Sequence, residues 1–232
     1  TLAADASIDA TNNGGAGAAA GGNINFGSLT GAFDLAVNAG TGGAIAVNTT
    51  TNITDLTLTR ATGTTFTGNV TVNDLITTAN SGTVTLNGAA NTFAAQVDFL
   101  NTGLVTLGNG GDSSTFANGV TFSANAASNL GGAIVTSGDV ANFGTGGVTL
   151  GSDSTVDTTS ATPAGANIAF GAGIAGAFDL GLTAGTGGAV TVATTTNITD
   201  LTLTSAVGNT FTGSVTVNDL ITTANSGTVT LN

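Results

Sequence analysis

Apolar residues in this chain fall at every second position, in short runs separated by Gly, Asn and Thr. Strands carrying such runs recur at Ile45, Phe66, Val84, Val105, Ile134, Val148, Ile168 and Val190. A second series passes through Leu35, Leu56, Leu75, Phe99, Phe122, Phe143, Val156 and Leu180. A period of two puts alternate side chains on opposite faces, so each run predicts a strand with one buried side. Both series climb in seven steps averaging about 21 residues, the spacing expected of coils stacked one on the next. Stripes of period 3.6 are missing, and the dominance of Thr, Val, Ile, Asn and Gly leaves almost no room for helices.

The chain also repeats itself. Residues 31–87 recur without a gap as residues 176–232, a shift of 145, with 47 of 57 positions identical. The differences respect the strand period. Val37 becomes Leu182 and Ile45 becomes Val190, both apolar, whereas Ala36→Gly181, Asn38→Thr183, Ala46→Thr191 and Asn48→Ala193 fall on the opposite parity. Upstream, Asp9 to Ile24 spans 15 positions and Asp157 to Ile168 spans 11, so length varies in loops rich in turn formers, where insertions cost least. The predicted fold is all-β: a parallel β-solenoid of about 21 residues per coil and roughly 11 coils, one continuous segment over residues 1–232. Apolar side chains stack inside and Thr, Asn and Asp face out, while Gly serves tight corners.

Composition narrows the function. The 13 acidic residues are all Asp, Arg60 is the single basic residue, and the formal charge is −12. Nucleic acid is an unsuitable partner for such a surface, since binding phosphates needs Lys and Arg, and anionic membrane surfaces are disfavoured likewise. No apolar run approaches the roughly 18 residues of a spanning helix. With no Cys there are no disulfides, thiolate metal sites or thiol nucleophiles. Without His, Cys, Glu or Lys, general-base choices reduce to Asp, and neither a Ser-His-Asp nor a Cys-His arrangement can be assembled. Without Trp or Tyr, a glycosidase groove lacks its aromatic platforms. No enzymatic activity is expected and no catalytic residue is assigned.

Phrases such as GGNINFGSLTGAFDLAVNAGTGGAIAV, GVTLGSDSTVDTTS and NSGTVTLNGAANTF resemble the repeats of filamentous-haemagglutinin-like and autotransporter-type β-helix adhesins and fibre proteins, very large bacterial surface proteins. The resemblance covers essentially the whole chain and rests on the style of the repeat. It implies a right-handed β-helix, export across the outer membrane, and a role in adhesion, biofilm or cell-surface fibres. The chain opens and closes in mid-repeat without an initiator Met, the layout expected of a segment of something longer.

Several constellations admit two readings each. Asp34, Asp55, Asp74 and Asp98 each precede an apolar anchor, and Asp179, Asp200 and Asp219 repeat the first three. Stacked in register they form an outward ladder at about 4.8 Å spacing, which either attracts Ca²⁺ or splays into water and deters sideways sheet association. GNGGDSS at residues 108–114 superficially matches a calcium-binding glycine-aspartate repeat, but a single copy reads as a turn. Thr-x-Thr pairs at Thr57/Thr59, Thr83/Thr85, Thr202/Thr204 and Thr228/Thr230 suit either an ice-binding surface or simply the wet face of a strand. Asn48, Asn52, Asn69 and Asn197 fit the glycosylation sequon, as matches do by chance in a chain so rich in Asn and Thr.

The expected function is a structural module of a secreted bacterial fibre or adhesin, extracellular or on the cell surface. It forms a stiff rod whose ends continue the same chain or associate with another copy. The alternative is a binding module for a glycan or receptor, through loops at residues 12–22 and 159–165 or a long excursion at residues 109–129.

Overall fold

The computed structural model describes residues 1–11, 20–124 and 127–232, and these form strands and turns with no helix. Every strand pair is parallel. Each strand roofs the one about a coil earlier in the chain, which is the stacking of a parallel β-solenoid, here of about 10 coils. At about 4.8 Å per coil the stack is roughly 50 Å long. The count is one lower than the sequence spacing predicts.

Each coil has three faces. The first carries Ile24, Ile45, Thr64, Val84, Val105, Ser128, Val148, Ile174, Thr195 and Val215 in one vertical register. The second carries Ser114, Ile134, Val156, Leu182 and Leu203. The third rises from Ala6 through Leu35, Leu56 and Leu75 and continues through Val97, Val120, Ala141, Ile168, Val190, Asn209 and Val229. Inward residues of all three faces form one continuous apolar core.

The densest part of that core is aromatic. On the third face Phe99, Phe122, Phe143 and Phe170 stack with ring centroids 4.9, 5.4 and 4.6 Å apart, and all four are buried. Phe93 and Phe116 stack 4.8 Å apart beside them. Parallel in-register coils place like residues above one another, so aromatic columns follow directly from the fold.

The repeat and the coil are out of step. Seven steps up the first face from Ile45 lead to Thr195, but the counterpart of Ile45 is Val190, which stands on the third face. The 145-residue repeat is therefore seven coils less one face, or about 6⅔ coils. Local pairing is nevertheless preserved: Ile24–Ile45–Thr64–Val84 in the first copy becomes Ile168–Val190–Asn209–Val229 in the second. The two strand series read from the sequence assumed a whole number of coils and cross faces. Ile134 belongs to the second face, Ile168 and Val190 to the third, and Val156 and Leu180 to the second.

Two details recur in both copies. Asn52 and Asn197 both turn a corner at φ 57°, the only non-Gly residues at positive φ among those described; Asn tolerates this conformation better than other side chains. Thr64 and its counterpart Asn209 are buried, and each leaves a side-chain oxygen without a partner. Thr64 sits between Ile45 and Val84. Thr64→Val keeps the shape and removes a stranded hydroxyl, so it is expected to stabilise the chain by about 1 kcal/mol, read as a higher urea midpoint with an unchanged slope.

Candidate functional site

The carboxylates come first, because the coil geometry decides which of them meet. Asp55 lies in register with Asp74, and Asp200 with Asp219. Asp34 and Asp179 take the rungs below. Two further rungs, Asp5 and Asp153, lie beneath these: the Asp34 amide donates to Asp5 Oδ1 at 3.0 Å and the Asp179 amide to Asp153 Oδ1 at 3.1 Å. The Asp200 amide likewise donates to Asp179 Oδ1 at 3.2 Å. The sequence signal for Asp5 and Asp153 was present, since each directly precedes a strand-forming run. The ladders thus run Asp5–Asp34–Asp55–Asp74 and Asp153–Asp179–Asp200–Asp219.

Asp98 is not a rung. The amide above Asp74 comes from Ala95, which donates to the Asn73 carbonyl at 2.7 Å. Asp98 accepts instead from the Ser123 amide at 3.1 Å and the Ser123 hydroxyl at 2.8 Å. Step length does not single it out, since the rungs Asp5 and Asp34 are 29 residues apart.

Several rungs do structural work, in that a carboxylate oxygen caps a backbone N–H of the coil above, a charge-assisted bond. Burial, with the nearby charge of Asp55 adding to it, raises the Asp74 carboxyl above the ordinary carboxylate value. A carboxyl whose folded pKa is raised binds its proton more tightly folded than unfolded. Its ionisation therefore costs stability progressively as pH rises from the unfolded value through the folded one. Asp74→Asn is expected to stabilise at neutral pH by a few tenths of a kcal/mol, the scale of partly exposed charge pairs. The gain should fade below pH 4, the ordinary carboxylate range. Thermal melts of both proteins across that range check it.

Asp9 behaves oppositely. The Thr11 hydroxyl, and then its amide, hold the Asp9 carboxyl below its usual value. Asp157 makes the same turn, accepting from the Thr159 amide at 2.7 Å and hydroxyl at 2.6 Å.

Beside the second ladder runs an open groove of about 710 Å³. Its floor is a single outward column of the second face, Ala133, Thr155, Gly181, Thr202 and Ile221. Small side chains make it a trough, Asp153, Asp179 and Asp200 border it, and Gly111 and Asp112 close one end. The corresponding column of the first copy, Ser7, Ala36, Thr57 and Ile76, lies on the third face. Sequence reasoning missed the groove because it depends on which face each column occupies.

The other sequence candidates fall as follows. Residues 108–112 form a bulge of the expected turn type, with Gly108, Gly110 and Gly111 at positive φ and the Asn109 amide bonded to Asp112 Oδ2 at 2.9 Å. Of the excursion expected at residues 109–129, residues 125–126 lie outside the described residues, and residues 113–124 and 127–129 belong to a regular coil. Residues 113–116 roof 90–93, and Val120–Thr121 pairs with Val97–Asp98. Of the loop at residues 12–22, residues 12–19 lie outside the described residues. Residues 159–165 form an exposed turn in which Thr158 Oγ1 bonds the Ala166 carbonyl and amide at 2.9 and 3.0 Å. Outward threonines do align on the first face, as Thr65, Thr85 and Thr106, but Asn129 interrupts the column.

Among the described residues no group of three or more His, Cys, Asp or Glu could hold a metal ion. With several ladder oxygens engaged by amides, the unfolding midpoint is expected not to move with millimolar Ca²⁺; a saturable rise would restore the calcium reading of Asp34, Asp55 and Asp74. A comparison with protein-family models, curated proteins and solved structures finds no match in any of the three.

Proposed function

We propose that this chain is a stiff structural module of a secreted bacterial surface fibre or adhesin. The observation that carries this reading is the mismatch of repeat and coil. Duplicating the sequence preserves the coil-on-coil pairings and turns the outward surface by one face. Repetition of this kind serves axial stacking, and it does not extend any binding stripe along one side. An ice-binding plane is disfavoured for the same reason. Stability then resides in nearest-neighbour coil interfaces, and the mechanical role is to hold something at a distance.

Surface location is tested by shaving intact producing cells with a protease that cuts at Asp, since trypsin finds one Arg and no Lys. Peptides of this chain released from unbroken cells support the proposal, and release only after lysis overturns it. A second reading, recognition of a glycan or receptor, is favoured by the groove over Ala133, Thr155 and Gly181. Saturable binding on a glycan array that Gly181→Phe abolishes would replace the rod reading with this one.

A further inference from the structure

We infer that Asn109 is a self-modifying site: in the folded chain the Gly110 backbone nitrogen attacks its side-chain amide and turns it into aspartate and isoaspartate, with water as the co-reactant. The sequence holds four Asn-Gly pairs, Asn13–Gly14, Asn87–Gly88, Asn109–Gly110 and Asn118–Gly119. The first lies outside the described residues. Glycine is the residue before which this attack is easiest, because it has no Cβ to hinder ring closure. The coil geometry separates the other three pairs.

Asn109 stands at a break in the ladder. Leu107 pairs with Leu130 and Asp112 with Gly132, so residues 108–111 face the single residue Gly131 on the coil above. Asn109, Gly110 and Gly111 are exposed, and the two glycines take positive φ of 117° and 74°. A Cβ added at Gly111 would meet nothing within 4 Å, and one at Gly110 would meet only the Ser152 side chain, at 3.6 Å. The Asn109 amide is tied back to Asp112 Oδ2 at 2.9 Å, and the Asn109 side chain makes no hydrogen bond with any described residue.

The other two pairs are held. Asn118 Nδ2 donates to the Ala94 carbonyl at 2.7 Å, and the Gly119 nitrogen, which would have to attack, donates to the Phe116 carbonyl at 3.0 Å. The Asn87 amide donates to the Phe66 carbonyl at 2.9 Å, and the Gly88 carbonyl accepts from Asn91 Nδ2 at 3.0 Å. Gly88 is buried against the coil below, where a Cβ would meet the Gly68 carbonyl oxygen at 2.5 Å. Ring closure at either pair first requires these bonds to open, a local unfolding step.

The chemistry balances with water alone. The Gly110 nitrogen bonds to the Asn109 side-chain carbonyl carbon as that carbon's bond to Nδ2 breaks. The proton of the Gly110 N–H leaves with the departing nitrogen as ammonia. Water then opens the succinimide ring at either carbonyl. One opening gives aspartate, and the other gives isoaspartate, whose main chain is longer by a carbon atom. Each product adds a negative charge to the formal −12. That charge sits beside Asp112, at the end of the groove that Gly111 and Asp112 close, so the bulge records the age of the chain there.

The test keeps the whole chain at mildly alkaline pH, where the attacking nitrogen loses its proton more readily, folded and in parallel in urea. Samples are then digested in heavy-oxygen water with a protease that cuts before Asp, so deamidation during digestion carries the heavy label and is discounted. The cuts place the three pairs on separate peptides, 74–97, 98–111 and 112–138. The aspartate product is cut again before residue 109, whereas the isoaspartate product stays whole with the mass of an acid. In the folded chain Asn109 is expected to react at least about tenfold faster than Asn87 and Asn118, which wait on local opening. In urea the three rates are expected to converge to within about threefold, since the ladder is gone. A folded chain in which Asn109 is no more reactive than the other two overturns the inference. So does a tenfold preference that persists in urea, because the bulge would then not be what selects the site. The inference needs only the coil geometry, so it stands or falls apart from the surface-rod proposal.

Discussion

Phe143→Ala is expected to cost about 3–5 kcal/mol, as removal of a large buried aromatic does, and to split unfolding into two transitions. Phe143 stands in the middle of the aromatic column, with Phe122 5.4 Å below and Phe170 4.6 Å above, the latter ring parallel to within 1°. Truncation removes both ring pairs and leaves a void that parallel backbones, fixed by their ladders, have little freedom to close. A domain's whole stability is about 5–15 kcal/mol, so the loss is a large part of the total. The position matters as much as the size. A stack of coils is coupled only through neighbours, and this column joins the coils of the first copy to those of the second. Weakening one interface in the middle lets the two halves unfold independently. Denaturant titration followed by far-ultraviolet dichroism reads both effects. A single transition with an unchanged slope would show that the ring column is not what couples the halves.

The sequence made the strand parity, the 145-residue repeat and the parallel stacking legible, because each depends on local pattern. Val37 and Ile45 are buried and Ala36, Asn38, Ala46 and Asn48 are more exposed, as their substitution pattern implied. Face assignment was not legible, for a definite reason. A short alternating strand looks the same on any of three faces, so only vertical register distinguishes them. Where the register passed through an inward polar residue, the apolar reading lost the thread. The first face runs from Val105 through Ser128 to Val148, and later through Thr195. Ser128 and Thr195 are buried yet polar, so the sequence series moved to Ile134 on the neighbouring face instead. The Asp ladders suffered less, since carboxylates before Leu35, Leu56 and Leu75 share a face with their anchors. Asp98 fell outside them because Phe99 belongs to a neighbouring inward column, while Val97 continues the column of Leu35, Leu56 and Leu75.

Leu86 and Leu231 offer the sharpest comparison in the molecule, one residue type in one local sequence at two levels of the stack. Both close a TVTL strand, Thr83–Leu86 and Thr228–Leu231, and both sit over a phenylalanine, Phe66 and Phe211. What differs is the next coil up. Leu107 covers Leu86, which is fully buried, whereas none of the described residues covers Leu231, which is 60 % exposed. Leu86→Ala is therefore expected to cost about 2–5 kcal/mol, and Leu231→Ala to stay within about 0.5 kcal/mol, as changes at exposed positions do. Urea midpoints of the two variants measure the difference directly. Equal costs would mean that the penalty comes from the strand itself and not from its roof. Neighbour coupling would then fail as the account of stability here.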